Sequence, residues 1–263
     1  MRVSKPTQGM SSLPERHQYI LSRLKKEGKV NVLDLCRHLN VSSVTIRKDL
    51  KLLEDKNLLY RTHGGGTLVN PYAVDRPVNE KEKIMSAEKM RIGAAAAELI
   101  EPNDSIIIAS GTTVHSLARN IRRQTPLTVI TAALNVATEL NQYPEIEVLV
   151  LGGTLRKSSS SATGHYAERV LEDFSCSKLF LGVDGIDMDF GLTTTHVQEA
   201  QLNRKMIAAA QKTIVLADSS KFGRRGFGRI CGLDDIDHII TDSGVSKHAL
   251  DALKSAGIGV TIV

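Results

Sequence analysis

A helical pattern over residues 42–53 is the feature that most constrains this chain. Ile46, Leu50 and Leu53 recur at helical spacing and predict one buried face, and Ser42 is a suitable N-cap. The opposite face carries hydroxyl and cationic side chains, namely Ser43, Thr45, Arg47, Lys48 and Lys51. A helix of this kind packs on one side only, so its other side is available to a partner.

Two further helices are predicted before this one. Pro14 and Glu15 open a pattern that Gly28 ends, and a short strand is expected at residues 30–32. A second helix, ended by Asn40, is indicated by the spacing of Val32, Leu35, Cys36 and Leu39. Helix, tight turn and helix at this spacing is the geometry that lays the later helix in the DNA major groove. There, short hydroxyl side chains reach base edges and Arg or Lys reach phosphates.

The residues after the third helix predict a small β-hairpin. Residues 59–63 alternate as a strand, Gly64–Gly66 are expected to form the turn, and residues 67–69 return. We expect this hairpin to form a wing whose glycines let the backbone approach a phosphate. The candidate DNA contacts are therefore Ser42, Ser43, Thr45, Arg47, Lys48, Lys51, Arg61, His63, Gly64 and Gly65.

The positive charge of the chain is concentrated at its N-terminal end. The first 70 residues hold 13 Lys and Arg against 6 Asp and Glu, whereas the remaining residues hold 21 against 23. A basic small domain before a near-neutral body is expected of a protein that meets nucleic acid at one end. Ordinary surface helices with good caps would explain the helical pattern alone. Together with the charge and the hairpin, the pattern predicts double-stranded DNA as a partner.

Composition argues against several other classes of protein. The apolar runs are of strand length, far below the roughly 18 to 20 residues of a membrane span, so no membrane contact is expected. Residues 1–12 lack the apolar core of a secretory signal, which favours a cytoplasmic location. Cys36, Cys176 and Cys231 lie far apart without Cys-x-x-Cys spacing, so neither disulfides nor a metal site is expected. No cofactor is predicted.

Two prolines divide the chain into domains. We expect a first domain over residues 13–68, an extended connector over 69–79 and a larger domain over 80–263. The larger domain opens with a predicted helix, residues 80–99, with Lys83, Lys89 and Arg91 facing outward. Strand-like apolar runs follow at 105–109, 128–131, 148–151, 178–183, 213–217, 238–241 and 260–263. Because helical stretches separate most of these runs, they predict an α/β fold with a doubly wound, parallel or mostly parallel sheet.

Polar and glycine-rich segments follow several of these strands. Ser110–Thr113 leads into a helix, so backbone N–H groups and two threonine hydroxyls are expected to face an anion such as phosphate. Because ligands of such folds lie at the carboxyl ends of the strands, the candidate effector contacts are Ser110, Gly111, Thr112, Thr113, Thr131, Gly152, Gly153, Arg156, Asp184, Gly185, Asp218 and Lys221. Taken singly, each also fits a structural role as a turn glycine, a helix cap or a surface cation.

Several of these motifs resemble a known family. Val41-Ser42, Thr45-Ile46-Arg47-Lys48-Asp49-Leu50, Leu53-Glu54 and Arg61-x-His63-Gly64-Gly65 are similar to the winged helix-turn-helix of the DeoR family of bacterial sugar-metabolism regulators. Residues 79–242 resemble that family's effector domain, whose fold is similar to ribose-5-phosphate isomerase. The loops concerned are Ser110-Gly111-Thr112-Thr113, Gly152-Gly153, Gly182-x-Asp184-Gly185 and Asp218-x-Ser220-Lys221-Phe222-Gly223. One departure is Ala132 after Thr131, where the family usually has Asn, so an amide that could bind a ligand is absent.

The resemblance implies a DNA-binding transcriptional repressor of carbohydrate catabolism genes, with no catalytic residues. Its DNA affinity would change when a phosphorylated sugar binds, and a homodimer or homotetramer would match repeated operator half-sites. The alternative is an isomerase-type enzyme for sugar phosphates with an appended nucleic-acid-binding module. In that case Asp184, Asp187 or Glu199 would shuttle a proton. Glu199 itself is expected on an ordinary charged helix face.

Overall fold

The computed structural model describes residues 12–56, 58–62, 64–68, 77–121 and 126–263. These residues form two compact units, one within residues 1–74 and the other within 75–263. In the part of the chain that the structure describes, no helix is long and apolar enough to cross a membrane.

The first unit contains three helices and a small sheet. Its elements are α1 (Leu13–Glu27), β1 (Lys29–Asn31), α2 (Val32–Leu39), α3 (Ser43–Asp55), β2 (Tyr60–Thr62) and β3 (Gly65–Thr67). The end of α1 at Gly28 and the end of α2 at Asn40 are confirmed, since both residues adopt the left-handed conformation that closes a helix. The Ser42 hydroxyl caps α3 by accepting a hydrogen bond from the Thr45 backbone N–H at 3.2 Å.

The hairpin forms, and Gly64 lies in a turn as predicted, but the prediction that Gly65 and Gly66 belong to that turn is wrong. Gly65 and Gly66 lie within β3, the central strand of an antiparallel sheet ordered β1-β3-β2. A Cβ atom on Gly65 would lie 1.7 Å from the Val30 carbonyl oxygen, so no side chain fits there. These glycines therefore let β3 pack closely between its neighbours, a tertiary requirement that turn chemistry does not reveal.

The second unit is built on a seven-stranded parallel sheet, as the sequence predicts. Its strands run in the order β15-β14-β12-β9-β4-β5-β6. They are β4 (Ser105–Ile108), β5 (Leu127–Thr131), β6 (Ile146–Val150), β9 (Cys176–Gly182), β12 (Ala210–Leu216), β14 (His238–Thr241) and β15 (Gly259–Ile262). The helices of this unit are α4 (Val78–Lys83), α5 (Ser86–Ala97), α6 (Thr112–Asn120), α7 (Leu134–Leu140), α8 (His165–Val170), α9 (Val197–Ala208) and α10 (Lys247–Ser255).

Both faces of this sheet are covered by apolar side chains, which explains why its strands are apolar without alternation. Ile106 and Ile108 of β4 point into a cluster with residues of α5, α6 and α7. Ile107 and Ala109 point into the opposite cluster, which contains residues of α9 and α10. The doubly wound architecture is thereby confirmed.

Five short strands outside the main sheet were not predicted. One additional sheet, ordered β10-β11-β13, contains β10 (Gly185–Asp187), β11 (Gly191–Thr194) and β13 (Gly228–Cys231). A hairpin consists of β7 (Thr154–Arg156) and β8 (Ser161–Thr163). These strands have three or four residues each, too few for a clear period-two pattern.

The helix predicted over residues 80–99 is divided into two. Helix α4 begins at Val78, within the predicted connector, and ends before Met85, whose φ of 53° interrupts the helical path before α5. The outward orientation predicted for Lys89 is also wrong, since its side chain is buried. Its ammonium group donates hydrogen bonds to the carbonyl oxygens of Lys81 and Ile84, both at 2.6 Å. Burial lowers the pKa of Lys89 to about 8.

Candidate functional site

The outer face of α3 presents most of the side chains proposed to contact DNA. Arg47, Lys48 and Lys51 are exposed, and Ser43 and Thr45 are partly exposed. On the inner face, Ile46, Leu50 and Leu53 are buried in the core of this unit. Helix α3 therefore has a packed side and a cationic side, as its sequence pattern predicts.

A buried ion pair fixes the inner face of α3, and sequence reasoning missed it. The carboxylate of Asp49 is almost fully buried and accepts hydrogen bonds from Nε of Arg16 at 2.8 Å and from Nη2 of the same residue at 3.0 Å. A paired contact of this kind sets the angle of the guanidinium as well as its distance. It therefore fixes α3 relative to α1. The signal in the sequence was an acidic residue, Asp49, at helical spacing with the buried Ile46 and Leu53.

The other proposed DNA contacts differ in their surroundings. Arg61 contacts Glu54 in two ways. Its backbone N–H donates a hydrogen bond to one carboxylate oxygen at 2.7 Å, and its guanidinium lies 3.8 Å from the other. Gly64 is exposed, whereas Gly65 is buried in β3. His63 lies outside the described residues.

A polar pocket in the second unit lies at the carboxyl ends of β4 and β9. This is the point where the strand order reverses, since β5 and β6 lie on one side of β4 and the later strand β9 lies on its other side. Open α/β sheets bind ligands at such a switch point. The residues that line this pocket, called the effector pocket below, are Val78, Lys81, Ser110, Gly111, Thr112, Thr113, Arg156, Ser158, Ser159, Gly182, Val183, Asp184, Thr194, Glu199 and Lys221.

The start of α6 forms one wall of the effector pocket. Gly111 precedes the helix with a φ of 134°, a conformation that favours glycine, and no described side chain caps the helix N-terminus. Gly182 allows the end of β9 to approach the loop after β4, since a Cβ atom at Gly182 would lie 3.0 Å from the Ser110 carbonyl oxygen. The first N–H groups of α6 and the hydroxyl-bearing Thr112 and Thr113 are therefore suited to an anion.

Asp184 is held as a carboxylate within the effector pocket. One of its oxygens accepts a hydrogen bond from the Lys81 ammonium at 2.8 Å, and the other accepts from the Thr194 hydroxyl at 3.1 Å. Burial alone would raise the pKa of Asp184, but the charges of Lys81 and Lys221 and these hydrogen bonds lower it to about 2. A general acid or base near neutral pH needs a pKa much closer to 7.

Glu199 contradicts the expectation of an ordinary charged helix face. It is buried, accepts a hydrogen bond from the Ser110 hydroxyl at 2.6 Å, and forms a close ion pair with Arg156. These contacts connect α9, the loop after β4 and the β7–β8 hairpin. Glu199 holds the cationic side chain of Arg156 at the pocket wall.

The effector pocket combines three cationic side chains with two carboxylates. Lys81, Arg156 and Lys221 face Asp184 and Glu199, which leaves a net positive charge before the α6 N-terminus is considered. Burial lowers the pKa of Lys221, although Asp218 and Asp184 oppose that change. Such an arrangement can bind an anionic group and can also accept hydrogen bonds from hydroxyls.

The structure brings together only some of the predicted effector contacts. Ser110, Gly111, Thr112, Thr113, Arg156, Asp184 and Lys221 line the effector pocket, whereas Thr131, Gly152, Gly153, Gly185 and Asp218 do not. Thr131 donates a hydrogen bond to the Ile108 carbonyl oxygen at 2.7 Å. Gly153 and Gly185 are needed for close packing, since added Cβ atoms would lie 2.5 Å from the carbonyl oxygens of Thr163 and Arg224, respectively. Asp218 caps the helical turn Ser219–Lys221 and so positions Lys221.

Other pocket residues escaped the sequence reasoning. Lys81 lies in a segment whose pattern predicts only a helix, and Ser158, Ser159 and Thr194 belong to short strands or loops without a recognisable pattern. The serine-rich segment after Arg156 could have indicated Ser158 and Ser159 as pocket residues, because it follows the glycine-rich end of a strand.

A helix-turn-helix unit with a cationic outer helix, followed by an α/β unit with an anion-suited pocket, defines a DNA-binding regulator with a ligand-sensing domain. Residues 16–71 match the DeoR-like helix-turn-helix domain, and residues 84–243 match the DeoR C-terminal sensor domain. The chain belongs to the DeoR family of transcriptional regulators.

Two proteins that are similar in sequence carry the names of transcriptional repressors. A putative aga operon transcriptional repressor of Escherichia coli O157:H7 is 39% identical over 95% of this chain and 93% of its own length. The glycerol-3-phosphate regulon repressor of Escherichia coli K12 is 30% identical over 87% of this chain and 90% of its own length. Among solved structures, ribose 5-phosphate isomerase A from Methanocaldococcus jannaschii aligns with a TM-score of 0.40 and 16% identity, covering 52% of this chain and 55% of that protein.

Proposed function

We propose that this DeoR-family regulator represses carbohydrate catabolism genes and that a phosphorylated sugar in the effector pocket lowers its affinity for DNA. The observation that carries the proposal is the convergence of Lys81, Arg156 and Lys221 with the start of α6, which no side chain of the described residues caps. Cations and helix N–H groups together favour a phosphate over a neutral ligand.

On the DNA side, we assign α3 to the major groove. Arg47, Lys48 and Lys51 would contact phosphates, and Ser43 and Thr45 would reach base edges. The exposure of the three cations supports this assignment, as does the basic character of the first 70 residues. Ser42, Arg61 and Gly64 remain proposed contacts at the edges of this face.

On the ligand side, the phosphate would lie against Thr112, Thr113 and Lys221, and the sugar hydroxyls would donate to Asp184 and Glu199. This division follows from the chemistry of the groups, because carboxylates repel a phosphate and accept from hydroxyls. The name of one relative, a glycerol-3-phosphate regulon repressor, also refers to a small phosphorylated compound with hydroxyl groups. These contacts replace the wider set that sequence alone suggested.

The ligand must bind the two DNA-affinity states unequally. A nearly complete shift between the states takes a difference of about 5 kcal/mol in binding free energy. We also propose that the protein acts in the cytoplasm as a homodimer or homotetramer, because paired half-sites in DNA are read by symmetric proteins.

A thermal-shift screen tests the ligand class. Phosphorylated pentoses and hexoses should raise the melting temperature of the full-length protein, and their unphosphorylated parents should not. Each sugar that binds is then titrated into a gel-shift assay with an operator duplex selected from random DNA by the wild-type protein. The proposal requires that at least one such sugar weakens operator binding.

Two lysine variants sharpen this test. Lys221→Met removes a cation of the effector pocket, whereas Lys212→Met removes an exposed cation on β12 that does not line it. We expect Lys221→Met to need at least about tenfold more ligand, the loss of a charge-assisted contact, and Lys212→Met to match the wild type. Equal ligand affinity in all three proteins would refute the assigned phosphate position.

A further inference from the structure

Helix α4 is attached to the second unit almost entirely by polar contacts. None of its side chains is buried. It has six residues, too few for a helix to be stable by itself in water. Its position is therefore set by individual hydrogen bonds and ion pairs, each worth about 1 kcal/mol in a half-exposed setting.

Two of these contacts are made with walls of the effector pocket. The Lys81 ammonium donates a hydrogen bond to Asp184 at 2.8 Å, and the Val78 backbone N–H donates to the Ser158 carbonyl oxygen at 2.7 Å. A third contact joins Glu82 to Arg119 of α6, with a distance of 2.7 Å between the charged atoms. Helix α4 thus closes one side of the effector pocket while contributing no apolar core.

The C-terminal end of α4 is held differently. The buried ammonium of Lys89 donates to the carbonyl oxygens of Lys81 and Ile84, which ties this end to α5. Met85 follows with a left-handed φ of 53°, where the chain changes direction between the two helices. A fixed end beside a sharp change in direction is a natural pivot, because a few backbone angles there can absorb a rotation.

The free space of the effector pocket is small. It is about 40 Å³, and the hollow reaches about 510 Å³ only when its open mouth is included. The enclosed part holds a few water molecules, whereas pockets that enclose small-molecule ligands measure about 300 to 1,000 Å³. A sugar phosphate can therefore be enclosed only if a wall moves. Among the walls without buried side chains, which include β7, α4 is the one that adjoins the connector.

We infer that α4 transmits ligand binding to the DNA-binding unit. The anionic group of the ligand competes with Asp184 for Lys81, and α4 then turns about its Lys89-bound end. The chain runs from the DNA-binding unit through the connector directly into Val78. A movement of α4 therefore displaces the end of the connector that is attached to the second unit. The inference rests on the proposed function, and it adds the route by which the effector pocket is coupled to DNA affinity.

The first test uses no ligand. Full-length Lys81→Met is compared with Lys83→Met, a control on the same helix that alters an exposed lysine with no ion pair among the described residues. Two quantities are measured: amide hydrogen exchange over residues 78–84 and affinity for the selected operator duplex. We expect Lys81→Met to exchange faster and to bind the operator at least about fivefold more weakly, the lower end of the usual coupling between sites. Lys83→Met should resemble the wild type.

Two results would overturn the inference. If Lys81→Met exchanges faster in α4 but keeps its operator affinity, the position of α4 does not affect DNA binding. If exchange in α4 is unchanged, Lys81 does not hold this helix in place. Glu82→Gln provides a second variant if Lys81→Met does not fold, because it weakens the contact with Arg119 outside the effector pocket. It is expected to change exchange and operator affinity in the same direction as Lys81→Met.

Inorganic phosphate tests the competition step. It should speed exchange in α4 of the wild type, relative to sodium chloride of equal ionic strength, and have no such effect on Lys81→Met. Unchanged or slower exchange in the wild type would contradict competition for Lys81. A failure of the proposed function looks different, since it would appear as operator binding that no phosphorylated sugar changes, whereas the variant test contains no ligand.

Discussion

Arg16 and Asp49 connect the first and third helices of the DNA-binding unit through two parallel hydrogen bonds of 2.8 and 3.0 Å. The carboxylate is on the inner face of α3, one position from Lys48 on its exposed face. The residue pair therefore determines how the cationic face is presented. Both side chains are largely buried, where the loss of one member of an ion pair is costly.

Asp49→Asn is the first prediction. The change removes the buried carboxylate that accepts both of these hydrogen bonds, and we expect the DNA-binding unit to lose about 3 to 5 kcal/mol of stability. Denaturant unfolding of the full-length protein, followed by circular dichroism, measures this loss. Asp55→Asn, an exposed change on the same helix, serves as the control and should cost under about 0.5 kcal/mol. Equal stability of the two variants would show that the ion pair does not fix α3.

Arg47→Ala and Lys48→Ala should each weaken operator binding and reduce its salt dependence. Each phosphate contact contributes about one to the slope of log affinity against log salt concentration, so each variant should lose about one from that slope. Lys26→Ala, which changes an exposed lysine on α1, is the matched control. If both α3 variants keep the wild-type slope and affinity, α3 does not contact the phosphates.

Gly65→Ala should disrupt the small sheet of the DNA-binding unit. The new Cβ atom would lie 1.7 Å from the Val30 carbonyl oxygen, so β1 and β3 must separate. We expect a loss of at least about 2 kcal/mol, as for other overpacked sites. Gly64→Ala is the control, because its Cβ would have a single neighbour within 4 Å among the described residues, the Asn31 amide nitrogen at 3.9 Å. Similar unfolding midpoints for the two variants would argue against the packing role of Gly65.

Asp184→Asn should lower stability in a pH-dependent manner. The folded-state pKa of Asp184 is about 2, below its ordinary value of 3.8, so the carboxylate stabilises the fold above pH 3.8 and loses this effect as the pH falls through 2. The difference between these two pKa values corresponds to about 2 kcal/mol in the free energy of unfolding at neutral pH. Urea unfolding of the wild type and the variant is measured at pH 7, 5 and 3. The difference between their free energies of unfolding should be smallest at pH 3. A difference in free energy of unfolding that stays constant with pH would indicate that the charge of Asp184 does not cause the loss of stability.

Long elements and helix caps could be predicted from the sequence, because their signals are local. Gly28, Asn40 and Ser42 mark helix boundaries through their own conformational preferences, and the apolar strands of the large sheet are recognisable without contacts. Short strands such as β10 and β13 could not be predicted, because their pairing is decided by distant residues.

Lys89 and Glu199 show why the site was only partly predictable. Both look like exposed charges in their helices, yet both are buried by tertiary contacts. The first satisfies carbonyl groups at the end of α4, and the second pairs with Arg156 from a different element. Segments at the ends of strands could be nominated because a parallel sheet brings those ends together, whereas side chains that arrive from helices carry no such signal.

The most direct test of the central claim is the affinity of the wild-type protein for its operator with and without a phosphorylated sugar that the thermal-shift screen has shown to bind. We predict that the dissociation constant for DNA rises when the sugar is present, and that the DNA-bound protein binds the sugar more weakly by the same factor, as linkage requires. An operator affinity that stays constant at saturating concentrations of every sugar phosphate that binds would contradict the account.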